Sequence, residues 1–143
     1  MSTSTIKLHT YLNYGGNCKE AFQFYEKHLG GKITMMMTHG EKPGATNIPP
    51  EQQKTVVHAR MILGETELRA AYVPPPQHFQ PMRSVYLSLS VSSTPEAERL
   101  HALLSDGGEI FMPMQETFYA YRFSVLRDKF GTSWMILHER PMP

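Results

Sequence analysis

Two short phrases carry most of the side chains able to do chemistry. In VVHARMIL (56–63), His58 and Arg60 alternate with Val57, Ala59, Met61 and Leu63. On an extended strand that spacing puts an imidazole and a guanidinium together on the face turned away from the core. In QETFYAY (115–121), Glu116 precedes Tyr119 and Tyr121, which share a strand face. A histidine with a carboxylate and tyrosines can move protons as general acid and base, or hold a polar ligand in one orientation. His58 and Glu116 are therefore the candidate catalytic residues. In the plainer alternative His58 satisfies a buried backbone group and Glu116 serves in a turn, and the sequence leaves both standing.

A third set comes from IKLHTYLNY (6–14), whose alternation places His9, Tyr11 and Asn13 opposite Ile6, Leu8 and Leu12. Other chemistries find no support. GGKI (30–33) opens a strand rather than a helix, so its N–H groups cannot present a helix N-terminus to a phosphate. Cys18 falls on the inward face of a helix and reads as a small buried hydrophobe, not a nucleophile. His28, His39, His78, His101 and His138 have no partners visible in sequence and read as surface or loop residues.

Strands and helices must place these side chains, and a repeat reveals them. GGKITMMM (30–37) and GGEIFMPM (107–114) share both glycines, the isoleucine and two methionines. Tyr11-Leu12 recurs as Tyr86-Leu87, and Glu20-Ala21 as Glu96-Ala97. Two copies are too few for a solenoid and imply a duplicated module. In the first copy a strand over 6–14 leads to a helix over 18–29. Asn17 and Glu20 form its expected capping box, Cys18, Ala21, Phe22, Tyr25 and Leu29 its apolar stripe, and Gly30 its stop. GGKITMMM is the next strand, followed by a polar loop and two strands, VVHARMIL and ELRAAYV, around Gly64-Glu65.

The second copy repeats the order βαβββ. SVYLSLSV (84–91) turns Val85, Leu87, Leu89 and Val91 inward and Tyr86, Ser88 and Ser90 outward. Thr94 is the expected cap of a helix with Pro95 at its first position and an apolar stripe of Ala97, Leu100 and Leu104. Pro113 predicts that GGEIFMPM lies at a sheet edge. FYAYRFSVL and SWMILH complete the module around RDKFGT. Both octets thus mark a helix stop followed by an edge strand, with Ile-x-Met-x-Met packing one face as core filler. The loop 40–54 has no counterpart of its size in the second copy, and could cover a cavity or simply be a surface insertion.

Composition excludes several classes. The chain has 143 residues, a net charge of +1 and scattered lysines and arginines, so no run of charge suits a nucleic-acid backbone. No apolar stretch approaches the roughly 20 residues of a membrane span, and MSTSTIK lacks a signal peptide's apolar core. A single cysteine excludes an intramolecular disulfide, and a cytoplasmic location is expected.

Paired βαβββ units resemble the vicinal oxygen chelate superfamily, which includes glyoxalase I, extradiol dioxygenases and the fosfomycin and bleomycin resistance proteins. LHTYLNYGGNCKEAFQFYEKHLGGKI resembles that superfamily's opening strand and helix. VVHARMILG and QETFYAYRFSVLRDKFGTSWMIL are similar to its PhnB-like branch, which has carried a methyltransferase label. The chain shows neither a nucleotide loop nor the parallel βαβ pattern for such a cofactor, so that label is discounted. The resemblance implies an α+β fold of two tandem βαβββ modules, 1–73 and 84–143 with a linker at 74–83, forming curled mixed sheets around a concave cavity. It implies a homodimer.

It also implies four metal-ligand positions, falling on His9, a residue of ELRAAYV, Tyr86 and Met135. Glu67 is the carboxylate of that strand if Glu67, Arg69 and Ala71 face the cavity; a register nearer Ala70 or Ala71 supplies none. Tyrosine and thioether are poor ligands for a divalent ion, so no cofactor is expected, the alternative being a metal held by His9 and Glu67. The ligand-binding candidates are His9, Tyr11, His58, Arg60, Tyr86, Glu116, Tyr119, Tyr121 and Met135. The expected partner is a small organic molecule, with no nucleic acid and no membrane; the rival reading is a metal-dependent lyase, isomerase or dioxygenase with a rearranged ligand set. Whether the chain is an enzyme stays open.

Overall fold

The computed structural model describes residues 5–73 and 79–141. His78 and residues 74–77 of the expected linker lie outside them. The chain divides into two compact units, Met1–Phe79 and Gln80–Pro143. Each holds one long helix and a four-stranded mixed sheet, which bears out the α+β, two-module expectation.

In the first unit β1 (Thr10–Tyr14), α1 (Cys18–Leu29), β2 (Lys32–Thr38), β3 (Val56–Leu63) and β4 (Thr66–Tyr72) follow in chain order. The sheet order is β1-β4-β3-β2, with β1 parallel to β4 and the other pairs antiparallel. Cys18, Ala21, Phe22 and Tyr25 of α1 are buried, as their spacing predicts, together with Leu12, Tyr14, Ala59, Met61, Leu68 and Ala70 of the sheet. Full burial of Phe22 alone stabilises by roughly 2 kcal/mol, so packing rather than the intrinsic propensity of 12 residues holds the helix.

The first strand is shorter than its alternation suggests. Pairing begins at Thr10↔Leu68, and Ile6 and Leu8 are 83% and 96% exposed. Continued in that parallel register, Ile6 would fall opposite Gly64, in the turn before β4 begins at Thr66. The capping box does not form either. Asn17 occupies the cap position with φ −118° and ψ 26°, away from the extended backbone a capping side chain needs, and its Oδ1 is buried without a partner.

In the second unit β5 (Leu87–Ser90), α2 (Thr94–Ser105), β6 (Glu109–Gln115), β7 (Ala120–Arg127) and β8 (Ser133–Glu139) repeat the plan, in sheet order β5-β8-β7-β6. Ala97, Leu100 and Leu104 are buried as expected. The cap is Ser93 rather than Thr94: Ser93 is extended and its hydroxyl accepts from Glu96 N–H, leaving the Thr94 hydroxyl to bond His138. β5 is also shorter than 84–91, and Val85 is exposed before it begins.

The paired glycines of the two octets do two different jobs. Gly30 and Gly107 both sit at φ 77°, the left-handed turn that ends each helix. Gly31 and Gly108 instead lie where the chain is crowded: a Cβ on Gly108 would stand 2.2 Å from the Arg127 carbonyl oxygen. β2 and β6 are both edge strands, as Pro113 foretold for the latter. The expectation that Ile-x-Met-x-Met packs one face fails in both. Register shifts between Ile33 and Met35, and between Ile110 and Met112, insert an extra residue. Ile33 therefore pairs with buried Met61 whereas Met35 and Met37 pair with Arg60 and His58, and Met35 and Met112 are exposed rather than core filler.

Candidate functional site

The antiparallel register of β3 and β4 decides what the open face of the first sheet displays. Ala59, Met61, Leu68 and Ala70 point to the helix, so Tyr11, His58, Arg60, Ile62, Glu67, Arg69 and Ala71 point away from it. This selects the register in which Glu67, Arg69 and Ala71 share the face of Tyr11. One row crosses all four strands: Tyr11 stands opposite Arg69, Arg69 opposite Arg60, and Arg60 opposite Met35.

A hydrogen-bonded chain runs over this face. Arg60 Nε–H donates to His58 Nε2 at 3.1 Å, and His58 Nδ1 lies 3.3 Å from the Tyr11 hydroxyl, whose ring stacks on the imidazole with centroids 6.0 Å apart. Arginine is always a donor, so Nε2 must be the unprotonated nitrogen and the neutral ring carries its proton on Nδ1. Burial, then the guanidiniums of Arg60 and Arg69, push the His58 pKa below its ordinary range against the opposing pull of Glu67. Arg69 Nε–H donates to Glu67 Oε1 at 2.6 Å, and that bond, more than the charges of Arg69, Arg60 and His9, lowers the Glu67 pKa. His9 Nδ1 stands 3.9 Å from the same oxygen.

The remaining candidates lie in the second unit. Glu116 is held by the Arg140 guanidinium. Tyr119 and Tyr121 do not act as a pair, contrary to expectation. Tyr119 packs edge-on against Phe123, while Tyr121 lies against His138 and beneath the Arg140 guanidinium. The register slips between Ala120 and Arg122, and this separates them. Tyr86 and Met135 pack against a buried cluster of Ala120, Phe123, Val125 and Leu137, and Arg83 donates to the Tyr86 hydroxyl at 3.3 Å.

Several histidines are better tied than the sequence suggests. His39 bonds Thr55, His101 bonds the buried Ser124 hydroxyl, His138 bonds Thr94, and His28 packs on the Phe24 ring. Cys18 is buried as expected, and burial, helped by Glu20, pushes its thiol pKa up to about 12. A cavity of about 600 Å³ was not foreseen in position. It lies in the first unit where β1 turns into α1, with Gly16, Lys19, Thr38 and Tyr72 in its wall. Glu41 and Lys54 of the unrepeated loop also line it. Its only sequence signal was the loop's length.

A family model described as the Glyoxalase/Bleomycin resistance protein/Dioxygenase superfamily matches residues 7–136. The chain belongs to that superfamily. It is 30% identical to Protein YjdN of Escherichia coli over 139 residues, 92% of this chain and 94% of the relative. Its fold matches protein PA1353 of Pseudomonas aeruginosa with a TM-score of 0.84 and 35% identity, covering 96% and 100% of the two chains. The PhnB protein of Bacillus cereus is similar in fold at a TM-score of 0.74 and 24% identity, covering 93% and 99%. No helix is long and apolar enough to cross a membrane among the described residues.

The superfamily's metal can be tested against the donors present. The first unit offers His9 and Glu67, but the Glu67 oxygen nearest His9 already accepts from Arg69. The second unit offers a neutral phenol and a thioether, both packed on apolar side chains. Among the described residues no group of three or more His, Cys, Asp or Glu could hold an ion. Such a set fits a divalent cation poorly.

Proposed function

We propose that this superfamily member binds a small organic molecule on the open face of its first sheet, without the metal ion. The observation that carries the reading is the Arg60–His58–Tyr11 hydrogen-bonded chain on the sheet face turned away from the helix. In this reading His58 is a positioning residue, and Glu116, tied to Arg140, has no catalytic part. The chain acts in the cytoplasm as a homodimer; the edge strands β2 and β6, with Met35 and Met112 exposed, give pairing a physical motive. Light scattering on the eluting protein checks the mass.

The test is metal content after incubating tag-free protein with Ni, Zn, Mn or Fe(II) and desalting, alongside ligand-induced thermal shifts. The expected result is no retained ion and shifts that survive a chelator. The His9–Glu67 approach of 3.9 Å favours a second reading, a metal-dependent lyase, isomerase or dioxygenase with a rearranged ligand set. Near-stoichiometric metal lost in His9→Ala would establish it instead.

A further inference from the structure

We infer that the molecule taken by this face is an amphipathic organic anion, its acid group lying across Arg60 and Arg69 and its apolar part along Met35 and Ile62. The inference rests on the open-face reading above and adds a ligand class to it. Arg60 and Arg69 stand directly opposite each other on adjacent antiparallel strands. Like charges so placed destabilise a sheet unless something neutralises them. Arg69 has Glu67; Arg60 makes no ion pair among the described residues, and its Nε–H contact is a neutral imidazole.

Arg60, Arg69 and Tyr11, the polar groups of this row, can all donate outward, and the Glu67 carboxylate one row away, opposite Ile62, is engaged by Arg69. With Nδ1–H of His58 directed at the Tyr11 oxygen, the Tyr11 hydroxyl keeps its own proton for a ligand. The terminal nitrogens of Arg60 add a planar fork of N–H groups, which suits a carboxylate or phosphate and not a cation. Neutral amides and alcohols could accept one such bond, but they would leave the Arg60 guanidinium without an ion-pair partner.

The same row continues from charge into grease. Met35 lies opposite Arg60 and is 36% exposed, and Ile62, one same-face position along β3, is 46% exposed. Two strand spacings of about 4.8 Å separate Arg69 from Met35, so an acid with a body about 10 Å long spans the row. The unbranched methionine can adapt to its shape.

The test uses the full-length labelled protein and a series of phenylalkanoic acids, from phenylacetate to 5-phenylvalerate, each against its neutral amide and against acetate. Binding is read from backbone and methyl shifts at Tyr11, His58, Arg60, Met35 and Ile62. At least one acid should bind about tenfold or more tighter than its amide and than acetate. Arg60→Gln and Arg69→Gln, each checked for an intact spectrum, should erase the preference for the acid, and Arg60→Lys should keep part of it. Amides binding at this face as tightly as their acids would overturn the anion inference and leave the open-face reading intact. If neither series perturbs these residues, both fall together.

Discussion

The indole Nε1–H of Trp134 donates to Asp128 Oδ2 at 2.8 Å in the buried turn between β7 and β8. The other carboxylate oxygen accepts from the N–H groups of Phe130 and Thr132 at 2.9 and 3.1 Å. One buried charge thus satisfies three donors that water cannot reach. Asp128→Ala should destabilise the protein by about 3 kcal/mol, because a lost partner leaves each buried donor at full desolvation cost. Asp128→Asn should cost less, as its amide keeps one accepting oxygen. Urea unfolding followed by Trp134 fluorescence measures both.

The crowding around Gly108 makes a sharper local prediction. A Cβ there would meet backbone, the Arg127 carbonyl oxygen at 2.2 Å and Asp128 Cα at 3.0 Å, neither able to rotate aside. At Gly31 the nearest atom is Met61 Sδ at 2.7 Å, the flexible end of a side chain. Gly108→Ala should therefore cost more than Gly31→Ala, by about 1 kcal/mol or more. Equal losses in thermal unfolding would show that the β6 turn relaxes more readily than its geometry indicates.

His58 makes stability pH-dependent in a definite direction. Its folded pKa lies below the ordinary value of about 6.5, by burial first and then by Arg60 and Arg69. On acidification the unfolded chain takes up the proton first, so the contribution is complete above about pH 6.5 and lost as pH falls toward the folded pKa. His101, lowered by burial and Arg122, adds a change of the same sign. His58→Gln should flatten part of the decline in melting temperature as pH falls below about 6.5, and His101→Gln a separate part. Nitrogen-15 spectra of the imidazole should show the neutral ring with its proton on Nδ1.

Cys18 should resist thiol reagents. It is buried on the inward face of α1 with a pKa near 12, so almost no thiolate exists at neutral pH. Native protein should react with a disulfide reagent only as fast as it opens, and denatured protein at once. Rapid labelling in the native state would mean that the start of α1 opens readily.

The sequence by itself determined the elements and their order. Apolar spacing at Ala21, Phe22 and Tyr25, and at Ala97, Leu100 and Leu104, reports local burial, which a 3.6-residue period records directly. Pro113 placed its strand at an edge because proline cannot donate to a central ladder. His58 and Arg60 share a face for the same local reason, the two-residue period of a strand.

Only the tertiary structure decided the rest. That Arg69 comes to face Arg60 follows from pairing between strands, which no local period encodes. Bulges reversed the faces of Met35 and Met37, since one extra residue moves every later side chain across the sheet. The partners of His101 and Glu116 lie 23 and 24 residues away along the chain and are brought near by folding alone. Chemistry that depends on one residue's spacing was legible; chemistry that depends on which strands become neighbours was not.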